Sequence, residues 1–121
     1  MRRSVLRQGC LLVSKQRALG TEFETATVNY LHENGFPAAV RTGSAAYGDG
    51  DITGVPGLVL ENKNQARMDL SGWLNQATKS AIRRGKNEIP IVVHKRRGKN
   101  VSQAYCTLSL ESLVKLIQEH Q

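Results

Sequence analysis

Aromatic residues are scarce in this 121-residue chain: two Phe, one Trp and three Tyr, 5% of the whole. So few rings argue against a binder that stacks single-stranded bases on aromatic platforms. Cysteine is nearly absent too. Cys10 and Cys106 stand far apart with no metal-ligand spacing, so neither a zinc site nor a disulfide framework can be read from them. Both lie in apolar surroundings, and a buried thiol in a reducing compartment is the expectation for each. His32, His94 and His120 form no His-x-His or His-Asn-His arrangement, which disfavours a histidine-metal nuclease. No apolar run approaches the length of a membrane-spanning helix. The opening "MRRSVLRQGCLLVSK" begins like a signal peptide, but Arg7 and Gln8 interrupt its apolar part and no small-residue cleavage site follows. A cytoplasmic protein is expected.

Acidic residues are outnumbered, ten against seventeen Lys and Arg, for a net charge of +7. That excess points to a polyanionic partner, nucleic acid before membrane, because no long basic amphipathic helix is present. At this length the chain is a single domain with one core. No repeat or low-complexity tract interrupts it.

The spacing predicts a helix over 20–34, with Phe23, Thr27, Tyr30 and Leu31 on one face and a stop at Gly35 and Pro37. "AAVRT" is short and strand-like; "GDIT" and "PGLVLENKN" read as two strands joined by a tight turn at Gly54 to Pro56. "DLSGWLNQATKSAIRRG" carries Leu70, Trp73, Leu74, Ala77 and Ala81 at helical spacing, capped by Asp69 and stopped by Gly85. "IPIVVHK" is an apolar strand, "RRGKN" a turn, and "VSQAYCTL" a strand pairing back on it. A last helix opens at Ser109, with Leu110, Leu113, Val114 and Ile117 expected to pack inward. The order α-β-β-β-α-β-β-α predicts an α/β fold, a mixed central β-sheet flanked by helices. Residues 1–16 form a basic arm or strand, 17–85 the core and 86–121 the closing strands and helix.

"GDGDITGVPGLVLENKNQ", residues 48–65, sets charges around the most apolar strand. Alternation along a strand puts Val59, Glu61 and Lys63 on one face, with Leu58 and Leu60 on the other. Nine residues separate Asp51 from Glu61, which suits a short antiparallel return that brings the two carboxylates together. Buried charge is costly unless paired, hydrogen-bonded or metal-bound. Two carboxylates, a backbone carbonyl and waters make an all-oxygen site for magnesium. Beside it, Lys63 would orient a water or neutralise charge on a phosphate oxygen, the combination that metal-assisted phosphodiester hydrolysis needs. An isolated Glu-x-Lys is more often an ordinary surface ion pair; the apolar run ahead of it and the nearby Asp51 favour the site.

These residues resemble the PD-(D/E)XK nuclease superfamily, and within it most closely the archaeal-type Holliday junction resolvases. "GTEFE" is similar to that family's G-x-x-x-E, "VRTGSAA" to its R-x-x-G-S-like strand and loop, "GDI" to its PDI and "LENKN" to its E-x-K strand. Gly50 replaces the motif proline. Glu22 and Glu24 point to different sides of their helix, and the family spacing selects Glu24.

The resemblance implies a restriction-endonuclease-like core and a magnesium-dependent endodeoxyribonuclease, with Mn2+ able to substitute, acting in DNA recombination and repair. It implies a homodimer that cuts four-way, branched double-stranded DNA by paired incisions leaving 5′-phosphate ends, in a prokaryotic cell or one infected by phage. Asp51, Glu61 and the Asn62 carbonyl would bind the metal, Lys63 would position the water, and Glu24 would support the metal shell. Arg41 and Ser44 fall where the family contacts DNA, and Gln76 where some members aim a polar residue at the site.

From 83 to 99 the chain carries Arg83, Arg84, Lys86, Lys95, Arg96, Arg97 and Lys99 against the single Glu88. Such runs are usually a solvated face, and cations favour a helix C-terminus; lying on both sides of one strand, these would track phosphates. Arg2, Arg3 and Arg7 would do the same from the amino-terminal arm. The alternatives are a fork- or flap-specific or restriction-like nuclease of the same fold, a non-catalytic DNA-binding protein with that fold, and an RNA-binding or ribosome-associated basic protein. The last leaves the acidic cluster unexplained.

Overall fold

A computed structural model describes residues 19–42 and 50–121. Cys10, Ser44 and the arginines of the amino-terminal arm lie outside the described residues. Helix α1 covers 19–33. Asn34 donates from its side chain to the Tyr30 carbonyl at 2.8 Å, and Gly35 takes φ 96°, so the chain leaves the helix where a left-handed residue is tolerated. Strands β1 (Val40–Thr42), β2 (Gly50–Thr53) and β3 (Leu58–Lys63) follow, then helix α2 (Leu70–Arg84), strand β4 (Ile89–His94), a 3-10 turn (Val101–Gln103), strand β5 (Tyr105–Thr107) and helix α3 (Leu110–Glu119). The chain is α/β. Among the described residues five strands lie in the order β1-β2-β3-β4-β5, antiparallel except for β3 and β4, which run parallel because α2 carries the chain back between them.

Both faces of the central strands are covered. Leu58 and Leu60 of β3 and Ile89, Ile91 and Val93 of β4 pack with Phe23, Ala39, Ile52 and Val55, and α1 closes this layer with Val28 and Leu31. Burying a side chain such as Ile52, which is fully enclosed, contributes about 1.5–3 kcal/mol. The opposite face holds a smaller cluster, Trp73 and Ala77 of α2 on Val92 of β4. Helix α2 is set at both ends as its sequence predicts: the Asp69 side chain accepts from the Gly72 amide, and Gly85 closes the helix at φ 63°. Among the described residues, no helix is long and apolar enough to cross a membrane.

Four expectations are corrected. "VSQAYCTL" is strand only at Tyr105–Thr107, because the Asn100 side chain accepts from the Ser102 amide and winds 101–103 into a 3-10 turn. Leu110, Leu113, Val114 and Ile117 are exposed, while Ser112 is buried and Leu116 packs on the α1-side core. Ser109 caps α3, its hydroxyl accepting from the Ser112 amide at 3.0 Å, and the side of the helix that carries Ser112 and Leu116 packs inward. Tyr30 of α1 is likewise exposed. Cys106 is exposed rather than buried, and among the described residues β5 lies at the edge of the sheet.

The β2–β3 turn places the site. Gly54 has φ 89°, and a Cβ there would fall on the Ala38 carbonyl oxygen. Gly54→Ala is expected to destabilise the fold by more than about 1 kcal/mol, because the left-handed backbone and the clash act together. Urea unfolding measures this, and an unchanged midpoint would contradict the turn.

Candidate active site

Antiparallel pairing of β2 with β3 sets Asp51 opposite Glu61 and Gly50 opposite Asn62. Directly opposed residues share a face, so the two carboxyl groups meet on the side covered by α2, with Val59 and Lys63 along the same strand. Glu61 is 2% exposed and Lys63 is 5% exposed. The Lys63 Nζ lies 3.3 Å from Glu61 Oε1. That is an ion-pair distance, and Glu61 Oε1 and Asp51 Oδ1 are both buried oxygens with no hydrogen-bond donor assigned to them among the described residues. Burial, a hydrogen bond with Asp51 and the charge of Asp51 push the Glu61 carboxyl up to about 8, against the opposing pull of Lys63. One proton therefore stays between the carboxyl groups near neutrality.

Two buried oxygens without donors suit a hard divalent cation such as Mg2+ or Mn2+, which takes one or two carboxylates and completes its shell with carbonyl, water and phosphate oxygens. Among the described residues, no group of three or more His, Cys, Asp or Glu side chains is placed to hold a metal ion. The remaining ligands would come from such oxygens, the Asn62 carbonyl included. The Asn62 side chain points to the other face, where its amide donates to Thr27 Oγ1 at 3.1 Å and ties β3 to α1.

Glu24 is buried and Glu22 exposed, but Glu24, expected to support the metal shell, is not among the carboxylates. Arg41 pairs with Ile52 across β1 and β2 and shares its α1-facing side; there the Arg41 Nε lies 2.6 Å from Glu24 Oε2. Gln76 is exposed on α2. Arg83 donates to Ser80 Oγ at 3.0 Å. Arg84 is held by Glu88 through contacts of 2.5 and 3.5 Å, which raise its pKa further and leave it little charge to offer a ligand. Lys95, Arg97 and Lys99 are exposed, and Arg96 lies over the Tyr105 ring at 5.5 Å. Lys95, Arg96 and Lys99 line a cleft of about 240 Å³ together with Glu22 and Phe23 of α1. None of Asp51, Glu61 and Lys63 lines it.

Sequence reasoning passed over His94. Parallel pairing of β3 with β4 sets it beside Lys63, and it is 4% exposed. The alternation Pro90, Val92, His94 was the available signal. Comparison of the chain with protein-family models, curated proteins and solved structures found no match.

The Glu61 carboxyl yields a pH prediction. Its proton is held to about 8 in the folded chain, against an ordinary value of 4.5. Its contribution to stability is therefore complete below the ordinary value and is lost as pH rises through the folded one. Without divalent cations, the wild-type unfolding temperature should fall across this window, and the Glu61→Gln chain should fall less. Parallel pH profiles would contradict the buried, proton-sharing pair.

Proposed function

We propose that this chain is a divalent-metal-dependent DNA endonuclease with a restriction-endonuclease-like core, a PD-(D/E)XK enzyme that resolves Holliday junctions. The observation that carries the reading is the register of Asp51 on Glu61: a half-buried and a buried carboxyl group on neighbouring strands, each with a buried oxygen that accepts no hydrogen bond among the described residues, and the Lys63 ammonium beside them. An ordinary surface ion pair is solvated and worth little; this one is enclosed. In this reading Asp51, Glu61 and the Asn62 carbonyl hold Mg2+ or Mn2+. The bound cation would supply Lewis-acid polarisation of the scissile phosphate.

The chain's own residues do the rest. Lys63 orients the attacking water and offsets charge on the phosphate oxygens. The water oxygen bonds to phosphorus, the bond from phosphorus to the 3′ oxygen breaks, and a 5′-phosphate and a 3′-hydroxyl remain. Glu24 acts through Arg41, holding its guanidinium for the DNA backbone. Lys95, Arg97 and Lys99 follow phosphates at the surface, joined by Arg83, Arg96 and Gln76. Paired incision needs two copies of the chain, and the exposed apolar side of α3, with Leu110, Leu113, Val114 and Ile117, is the surface for that contact.

With Mg2+, the protein should nick four-way junctions symmetrically in preference to forked, flapped or linear DNA. Asp51→Asn should lower the rate at least about a hundredfold while DNA binding persists. An Asp51→Asn chain that cuts at the wild-type rate would remove the site assignment, and preference for forks or flaps would change the substrate but not the chemistry. Junction affinity should fall steeply with salt; a flat response would contradict phosphate tracking. Light scattering should give twice the chain mass, and a monomer at working concentration would contradict paired incision.

A further inference from the structure

Among the described residues, His94 is a buried titratable side chain that the reaction above leaves without a role. It sits on β4 directly beside Lys63 of β3, and neighbouring strands lie about 4.8 Å apart. Its ring is held on three sides. Trp73 of α2 stands 5.6 Å away, Tyr105 of β5 stands 5.2 Å away, and Nε2 meets the Thr107 hydroxyl at 2.9 Å. The other nitrogen, Nδ1, is buried and has no hydrogen-bond partner among the described residues. A residue present only to fill the layer would need no second nitrogen, and Val92 fills the same layer two positions earlier without one.

We propose that His94 is a positioning residue for Lys63, its ring anchored through Nε2 so that Nδ1 offers an uncharged hydrogen-bonding atom beside the Lys63 side chain. The inference rests on the nuclease reading. Nδ1 reaches the ammonium through a water, the usual partner of a buried polar atom left open by the protein. Burial pushes the imidazole below its ordinary value, so the ring stays neutral and does not repel the ammonium. A cation at this position would displace Lys63, and an aliphatic residue would leave the water without a holder.

Asparagine and glutamine separate the two nitrogens, because Asn places a polar atom near Nδ1 and Gln near Nε2. His94→Gln keeps the Thr107 contact and should slow single-turnover cleavage of a saturating four-way junction with Mg2+ about tenfold or more. Its DNA affinity should stay within about twofold of wild type, because the residue acts on the reacting end rather than on the backbone contacts. His94→Asn should recover most of the rate. If the Gln chain does not fold, Thr107→Val takes its place, with a slower rate at unchanged affinity expected.

A wild-type rate in the variant that folds overturns the inference, as does an Asn chain no faster than the Gln chain or a loss that falls on DNA affinity. Wild-type protein that cuts no DNA overturns the nuclease reading and this inference with it. Active wild type with an equally active Gln chain overturns this inference alone.

Discussion

Pairing of β2 with β3 brings the Asp51 and Glu61 carboxyl groups together on the sheet face that α2 covers, and the other features of the site follow from the cost of doing so. Two carboxylates in a covered layer repel each other and lose hydration. The fold responds in two ways. One proton is kept up to about pH 8, and Lys63, two residues along β3 and thus on the same face, places its ammonium 3.3 Å from Glu61. Apolar residues at 61 and 63 would pack as Val59 and Val92 do, and exchanging a buried ion pair for them is often neutral or stabilising. The charged set is thus held at some expense of stability.

The two faces of the sheet divide the labour. On the α1 side, the larger apolar cluster, the Asn62–Thr27 bond and the Glu24–Arg41 pair fix β1, β2 and β3 to the helix. On the α2 side the apolar cluster is small, and the remaining space belongs to Asp51, Glu61, Lys63 and His94. Rigid strands therefore carry this charged cluster, which fixes its geometry more closely than loops would. The positive charge is distributed differently. Arg84 is neutralised by Glu88, whereas the turn between β4 and β5 presents Lys95, Arg97 and Lys99 to solvent. These exposed cations stand apart from the acidic pair, for the cleft that Lys95, Arg96 and Lys99 line includes none of Asp51, Glu61 and Lys63.

Much of this was legible in the sequence because the signals were local. Asp69 and Gly85 bracket α2 as their capping chemistry requires. The short turn at Gly54 and the alternation of β3 were enough to pair Asp51 with Glu61. What escaped depends on contacts distant in sequence. An apolar stripe on α3 says that one side is greasy but not which side packs inward, and the packed side is that of Ser112 and Leu116. The role of Asn100 in cutting short the last strand is a side-chain contest with the backbone that strand propensity does not register. His94 beside Lys63 requires the parallel register of two strands separated by a whole helix. Glu24, expected beside the carboxylates, pairs instead with Arg41 on the opposite side of the sheet, a partner on a different element.

Calorimetric titration of Mn2+ into the DNA-free protein tests the central claim, that the Asp51 and Glu61 pair is a divalent-cation site. The wild-type chain should bind saturably with one ion per chain, and Asp51→Asn should weaken that binding at least about tenfold. Absence of saturable binding to the wild type, or equal affinity in the two chains, would contradict the account.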